Sequence, residues 1–226
     1  MINLLQFLQK QGYSRRKVLD ALLNKRILIN HKNIQNLKEP LQINDIITYQ
    51  ENEFIIQKED IQEEDQILIL FNKPKGILVS KYDPHHEKTI YDILPKEFQN
   101  YYYIGRLDKE SRGLLLLTNS PKLVNQYEHP KFGIIKEYLI QTREIISEND
   151  LKKMKIWIID EGEKLSFLDI CSMSAHQYKI VLNEGKKRHI RRVIKALWYT
   201  LLDLQRIKEG KYELGDLKEG EYQKVL

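Results

Sequence analysis

The stretch Gly105-Arg106-Leu107-Asp108-Lys109-Glu110-Ser111-Arg112 runs directly into Gly113-Leu114-Leu115-Leu116-Leu117-Thr118-Asn119. Asp108 thus stands between an arginine and an apolar run short enough to be a buried strand. A charged loop feeding a buried strand is costly unless something uses the charge. An ionised carboxylate in that place can act as a nucleophile or as a general base. Hydrolysis by paired acid and base would need a second carboxylate. Glu110 is the near candidate, and Arg112 beside it does not suggest a raised pKa.

Three further segments carry reactive or charged groups. Asn72-Lys73-Pro74-Lys75-Gly76-Ile77-Leu78-Val79-Ser80 reads as a turn after a strand, with lysines that could meet phosphate. Lys136-Glu137-Tyr138-Leu139-Ile140 reads as a strand, where a tyrosine is ordinarily core. Glu184-Gly185-Lys186-Lys187-Arg188-His189-Ile190-Arg191-Arg192-Val193-Ile194 reads as a helix start rich in cations, suited to phosphate. No Walker loop, dinucleotide fingerprint or metal cluster occurs. His85 and His86 are adjacent, so in an extended segment their rings diverge and a metal site is not expected. Cys171, the single cysteine, is expected to be a small core residue and excludes an internal disulfide framework. Alternation on a strand explains Tyr101-Tyr102-Tyr103 better than a stacking platform does.

These segments need elements to hold them. Strands are expected at 67–71, 101–104, 114–117, 137–141 and 178–182, and helices at 122–127, 148–155 and 190–197. Both kinds of element without a strict βαβ repeat predict an α+β domain around a mixed, mostly antiparallel sheet, over 67–226. Ahead of it, residues 1–57 read as a separate small α/β module. Leu4, Leu5 and Leu8 share a helix face that Gly12 ends, and Ser14 caps a second helix, Arg15 to Leu23, with apolar face Val18, Leu19 and Leu22. From Arg15 to Lys32 the module carries Arg15, Arg16, Lys17, Lys25, Arg26 and Lys32 against one acid, Asp20, which favours phosphate contact over a merely solvated face. Residues 58–66, acidic and hydrophilic, are expected to be a linker.

The chain has 226 residues, 42% of them hydrophobic, enough for a packed core. The net charge of +5 and a pI near 9.0 favour a polyanionic partner, the more so because the bases cluster. No apolar stretch approaches the roughly 20 residues of a membrane span, and the start lacks the marks of a signal peptide. A cytoplasmic protein of bacterial type is expected.

Taken together and in this order, the Gly-Arg-Leu-Asp run with Gly-Leu-Leu-Leu-Leu-Thr-Asn after it, the Asn72 to Ser80 turn, Lys136 to Ile140, and Glu184 to Ile194 resemble the RsuA-type pseudouridine synthases that act on ribosomal RNA. The likeness covers nearly the whole chain, including Leu204-Gln205-Arg206 through Gly220-Glu221. Gly12-Tyr13-Ser14-Arg15-Arg16-Lys17 and Lys25-Arg26-Ile27-Leu28-Ile29-Asn30 resemble the small S-four-type RNA-binding domain first named for a ribosomal small-subunit protein. The resemblance implies Asp108 as the catalytic aspartate, and Arg106 as the arginine entering the RNA where the target base leaves. Tyr138 then packs against the uracil, Arg191 pairs with the aspartate, and Leu204 forms pocket wall. Arg15, Arg16, Lys17, Lys25, Arg26, Lys73, Lys186, Lys187, Arg188 and Arg192 are the expected RNA contacts. A monomer without cofactor is expected.

The chemistry agrees. Isomerising uridine breaks a bond from C1′ to nitrogen and makes one to carbon, and one carboxylate suffices. Burial would raise its pKa, and a nearby arginine opposes that shift. The rival reading is a non-catalytic RNA-binding or ribosome-assembly protein that kept the fold, yet Asp108, Tyr138 and Arg191 are all present. Three departures from the family pattern stand out. Ser111 replaces a frequent Thr, His189 stands where Gln or Glu is common, and Trp198 replaces a Gly near a helix end, which is expected to move or lengthen that helix. Residues 156–176 match poorly.

Overall fold

The computed structural model describes residues 2–61, 65–85 and 87–226; His86 and part of the expected linker, residues 62–64, lie outside these. The chain divides into two compact units, Met1–Asp65 and Gln66–Leu226.

In the first unit, α1 (Leu4–Lys10) begins with a capping box, the Asn3 and Gln6 side chains each accepting the other's backbone N–H. Gly12, at φ +88°, turns the chain out of this helix. α2 (Arg15–Leu23) is capped by Ser14, whose Oγ accepts from the Lys17 N–H. Four short antiparallel strands follow, β1 (Ile27–Ile29), β2 (Lys32–Asn33), β3 (Ile46–Tyr49) and β4 (Asn52–Ile55), in the order β2-β1-β3-β4. Leu4, Phe7, Leu8, Val18, Ala21, Ile27, Ile47 and Tyr49 form the core. The α2 face differs from expectation: Ala21 is buried and Leu19 is exposed. Residues 18, 21 and 22 fall on one stripe of a 3.6-residue helix, whereas 19 lies a further 100° round. Lys58–Ile61 form one helical turn, α3, where linker was expected, and Asp60 accepts the Gln57 N–H across it.

The second unit contains β5 (Leu68–Lys73), β6 (Tyr102–Ile104), β7 (Arg112–Thr118), α4 (Pro121–Glu128), β8 (Lys136–Thr142), α5 (Glu148–Ile156), β9 (Ile158–Asp160) and β10 (Glu163–Leu165). After these come β11 (Asp169–Ser174), β12 (Gln177–Leu182), α6 (His189–Ala196), β13 (Leu201–Glu209), β14 (Tyr212–Glu213) and β15 (Tyr222–Lys224). Among the described residues, nine strands form one sheet in the order β11-β12-β8-β13-β7-β5-β15, with β14 on β13 and β6 on β7. The β13–β7 pair is parallel and the other pairs are antiparallel, as the sequence led us to expect of a mostly antiparallel sheet.

The unbroken apolar run of β7 has a direct cause. Leu115 and Leu117 enter a core on one face of the sheet, and Leu114 and Leu116 enter a second core on the other. β5 does the same with Ile69 and Phe71 against Leu68 and Leu70. On one face Ile190, Val193 and Ile194 of α6 and Met154 of α5 pack on the strands; on the other, Leu123 and Tyr127 of α4 do so. The poorly matching 156–176 region is the end of α5, the β9–β10 hairpin and β11.

Trp198 does not move the end of α6. The helix stops at Ala196, and Trp198 adopts φ +65°, the left-handed conformation glycine would take. Its N–H donates to Lys195 O and that of Tyr199 donates to Ile194 O, the Schellman pattern of a helix C-terminus.

Candidate active site

Asp108 sits on the loop joining β6 to β7, and five contacts fix that loop. Gly105, at φ +63°, turns the chain and donates its N–H to Glu128 Oε1 at 2.7 Å. Leu107 is buried in the core below. The Ser111 N–H donates to Asp108 O, closing a turn, and Gly76 N–H donates to Lys109 O. The fifth is Lys73. Its ammonium donates to Ser111 O and Pro74 O, each at 2.8 Å, and lies 3.5 Å from Lys109 O.

Lys73 therefore corrects an expectation. A phosphate contact was expected of it, but it is fully buried and spends its N–H groups on backbone carbonyls of the Asp108 loop and of Pro74. Burial lowers its pKa to about 8, with Glu110 and Asp108 opposing the fall.

β7 begins where this loop ends, and β13 comes in parallel beside it, Gln205 opposite Arg112 and Arg206 opposite Gly113. A Cβ at Gly113, whose φ is +105°, would lie 2.3 Å from Arg206 O, so only glycine permits this approach. The close pass delivers Leu204 and, through the β13–β8 register, Tyr138 to the same side as Asp108.

The Asp108 carboxylate is about one-third exposed, at the edge of a recess also lined by Arg106, Ser111, Tyr138, Leu182, Arg188, Arg191 and Leu204. Arg191 Nε lies 3.2 Å from Asp108 Oδ2, and Arg191 Nη2 donates to Ser111 Oγ at 2.9 Å. One guanidinium thus holds both the carboxylate and the turn after it. Arg188 Nη1 is a second, looser cation at 3.8 Å. Tyr138 is buried, and burial raises its phenol above the usual value, with Arg206 opposing the rise. It is held protonated and offers a ring face and a hydroxyl rather than a base. Arg106 is exposed at the mouth, and the same side continues into a cleft bounded by Leu78, Val79, Lys109 and Glu110.

The remaining expected residues divide clearly. Arg15, Arg16, Lys17, Lys25 and Arg26 are all exposed on the first unit. Lys187 and Arg188 are exposed beside the recess. Lys186 donates to Lys164 O at 2.8 Å and pairs with Glu184. Arg192 turns the other way: its guanidinium is engaged by Asp160, through both side chain and carbonyl, and by Glu163, so it ties α6 to the β9–β10 hairpin. His189 is buried against Phe167, the two ring centroids 5.7 Å apart, and burial lowers its pKa. Its burial favours packing under the turn over a contact with RNA. Lys109 pairs with Glu87, and Arg112 with Asp203 and Glu219. Sequence reasoning missed Arg206 and Glu209, buried in β13 beneath Gly105; nothing in their spacing marks them as partners.

A carboxylate steadied by arginine, a buried protonated tyrosine and a recess walled by leucines together suit a planar ring attached to a sugar. The sequence pattern of the RNA pseudouridylate synthase family matches residues 67–196. The chain belongs to that family and is an RNA pseudouridine synthase, an isomerase. It is 31% identical over 216 residues to an uncharacterized RNA pseudouridine synthase of Borreliella burgdorferi, covering 95% of this chain and 86% of that one. It is 29% identical over 210 residues to ribosomal large subunit pseudouridine synthase B of Vibrio cholerae, covering 90% of this chain and 64% of that one. A crystal structure of a pseudouridylate synthase matches the fold with a TM-score of 0.69 at 24% identity, over 100% of this chain and 96% of that one.

Proposed function

We propose that this enzyme converts a uridine of large-subunit ribosomal RNA to pseudouridine, with Asp108 as the catalytic carboxylate. The observation that carries this reading is the Asp108–Arg191 pair, 3.2 Å apart at the edge of a recess that also holds Tyr138 and Leu204. Asp108 acts at the sugar, by attack on C1′ or by removal of a sugar proton. The bond from C1′ to N1 breaks with its electron pair staying on N1, the ring turns, and a bond forms from C1′ to C5. The C5 proton passes to solvent and N1 takes one up, so the product is an isomer. Arg191 balances the charge of the carboxylate and aims it. Tyr138 and Leu204 sandwich the freed uracil, so it stays within reach of the sugar.

The target base must leave its stack, at a cost of roughly a few kcal/mol. Arg106, exposed at the mouth, enters the space it vacates, and Lys187 and Arg188 meet the backbone phosphates. Arg15, Arg16, Lys17, Lys25 and Arg26 give the first unit the charge of an RNA-binding module, and we assign it as the S-four-type domain. The names of relatives such as the Vibrio cholerae protein favour the large subunit. Such a substrate places the enzyme in the cytoplasm, and it works as a monomer without cofactor.

The test is tritium release from ribosomal RNA transcripts labelled at uridine C5. Wild type should release tritium and Asp108→Ala should not. If wild type releases none from any ribosomal transcript, the protein is an RNA-binding relative that kept the fold. Mapping pseudouridines with and without the gene then identifies the nucleotide.

A further inference from the structure

Trp198 is 93% exposed, more than any other large apolar side chain the structure describes. Its backbone is left-handed, φ +65°, at a position where a side chain is strained and glycine is not. Among the described residues its indole makes no hydrogen bond, ring contact or cation contact, so no such side-chain contact offsets that strain. Its neighbours are anchored by contrast: the Tyr199 hydroxyl donates to Asp150 Oδ2, and the Thr200 N–H donates to Glu144. A rigid turn therefore presents a bare aromatic ring to solvent.

The ring's surroundings indicate what it meets. Trp198 lies just past the C-terminus of α6, the helix whose N-cap Arg188 and first-turn Arg191 face Asp108. A rise of about 1.5 Å per residue puts about 10 Å of axis between Arg191 and Trp198. Exposed cations border the segment after it. The backbone N–H of Arg143, a residue that is itself exposed, donates to Thr200 O, and Lys75 Nζ donates to Leu202 O from the loop that also binds Lys109 O through Gly76. Lys195 is exposed one turn back. The acids beside this segment are already engaged: Glu144 accepts from Thr200, Asp150 from Tyr199 and Lys153, and Asp203 from Arg112.

We propose that Trp198 is a stacking platform for an unpaired base of the substrate RNA flanking the target uridine. An exposed aromatic face with exposed basic residues on the neighbouring segments accepts any unpaired base, and those cations can hold the flanking backbone. This rests on the proposed RNA substrate and adds a second contact point to it, distinct from the recess at Asp108.

Because glycine suits this turn better, Trp198→Gly separates binding from folding. The chain has two tryptophans, so Trp157→Phe leaves Trp198 as the sole reporter. In that protein, unmodified large-subunit ribosomal RNA transcript should quench the emission, and a fully paired RNA duplex should not. Trp198→Gly should show an equal or higher unfolding midpoint, a KM for tritium release raised about tenfold, and an unchanged kcat. Trp198→Phe should recover most of the loss. Absence of quenching, or a Trp198→Gly protein with wild-type KM, overturns the inference and leaves the indole to a protein partner. If wild type releases no tritium at all, the isomerase reading fails instead, and quenching and RNA affinity still test the stacking.

Discussion

Arg206 and Glu209 lie three residues apart on β13 and pair with each other at 3.1 Å, both side chains 1% exposed. On a regular strand, residues three apart face opposite sides. The register of β13 against β8 shifts between Arg206 and Lys208, and this irregularity brings the two side chains together. Arg206 Nε also donates to Leu114 O at 2.7 Å, and Lys136 Nζ stands 4.0 Å from Glu209. A Cβ at Gly105 would lie 3.6 Å from each of them. The pair is thus the floor beneath the turn that leads to Asp108.

Removing one partner strands the other charge in the core. Glu209→Ala should therefore lower stability by about 3–5 kcal/mol in urea denaturation. A double variant, Arg206→Met with Glu209→Leu, should recover much of the loss, because an apolar pair has no charge to desolvate. If the double variant is as unstable as the two single losses added together, the pair is not what the site depends on.

The parallel approach of β13 to β7 makes a sharper prediction about glycine. Gly113→Ala would set a Cβ 2.3 Å from Arg206 O and should cost more than about 3 kcal/mol, or prevent folding. Gly105→Ala meets nothing closer than 3.6 Å and bears only the left-handed strain, about 1–2 kcal/mol. Thermal melts of the two variants side by side would show whether the strand approach, rather than the turn, is the tighter constraint.

Much of this was legible because local patterns carried it. The β7 run is apolar on both faces and announces a central strand, and Ser14 and Gly12 mark the ends of two helices as they stand. Asp108, Tyr138 and Arg191 meet through a sheet register and a helix start that their motifs already imply. The illegible parts depend on long-range packing. Lys73 looks like any loop lysine until the Ser111 and Pro74 carbonyls close on it. Arg192 looks like its neighbour Arg191, yet the 100° step along a helix sends it to Asp160 and Glu163. Arg206 and Glu209 become partners only through an irregularity that no residue type signals.

Lys73 should also leave a signature in pH. Its folded pKa is lowered to about 8 from an ordinary 10.5. Between those values the unfolded chain holds a proton that the folded chain has released, so stability gains with rising pH across that window and is lower below it. Wild type should gain on the order of 3 kcal/mol relative to Lys73→Met between pH 8 and 10.5. Urea denaturation of both proteins at about pH 7.5 and about pH 10 measures this. A difference between the two that does not change with pH would mean that Lys73 carries no depressed pKa.

Arg191 does two jobs with two nitrogens, and a single substitution can separate geometry from charge. Nε faces Asp108 and Nη2 donates to Ser111 Oγ, so the planar guanidinium sets the angle of the carboxylate as well as its charge. Arg191→Lys keeps the cation but cannot span both partners. Misplacement of the carboxylate by about 1 Å should lower kcat by about 10²-fold, with KM for the RNA little changed. Ser111→Ala removes only the second anchor, and its loss should be smaller and of the same kind. Single-turnover rates under saturating RNA read the chemical step directly. An Arg191→Lys enzyme with wild-type kcat would show that charge alone suffices; a raised KM with unchanged kcat would make Arg191 a phosphate contact instead of the partner that aims Asp108.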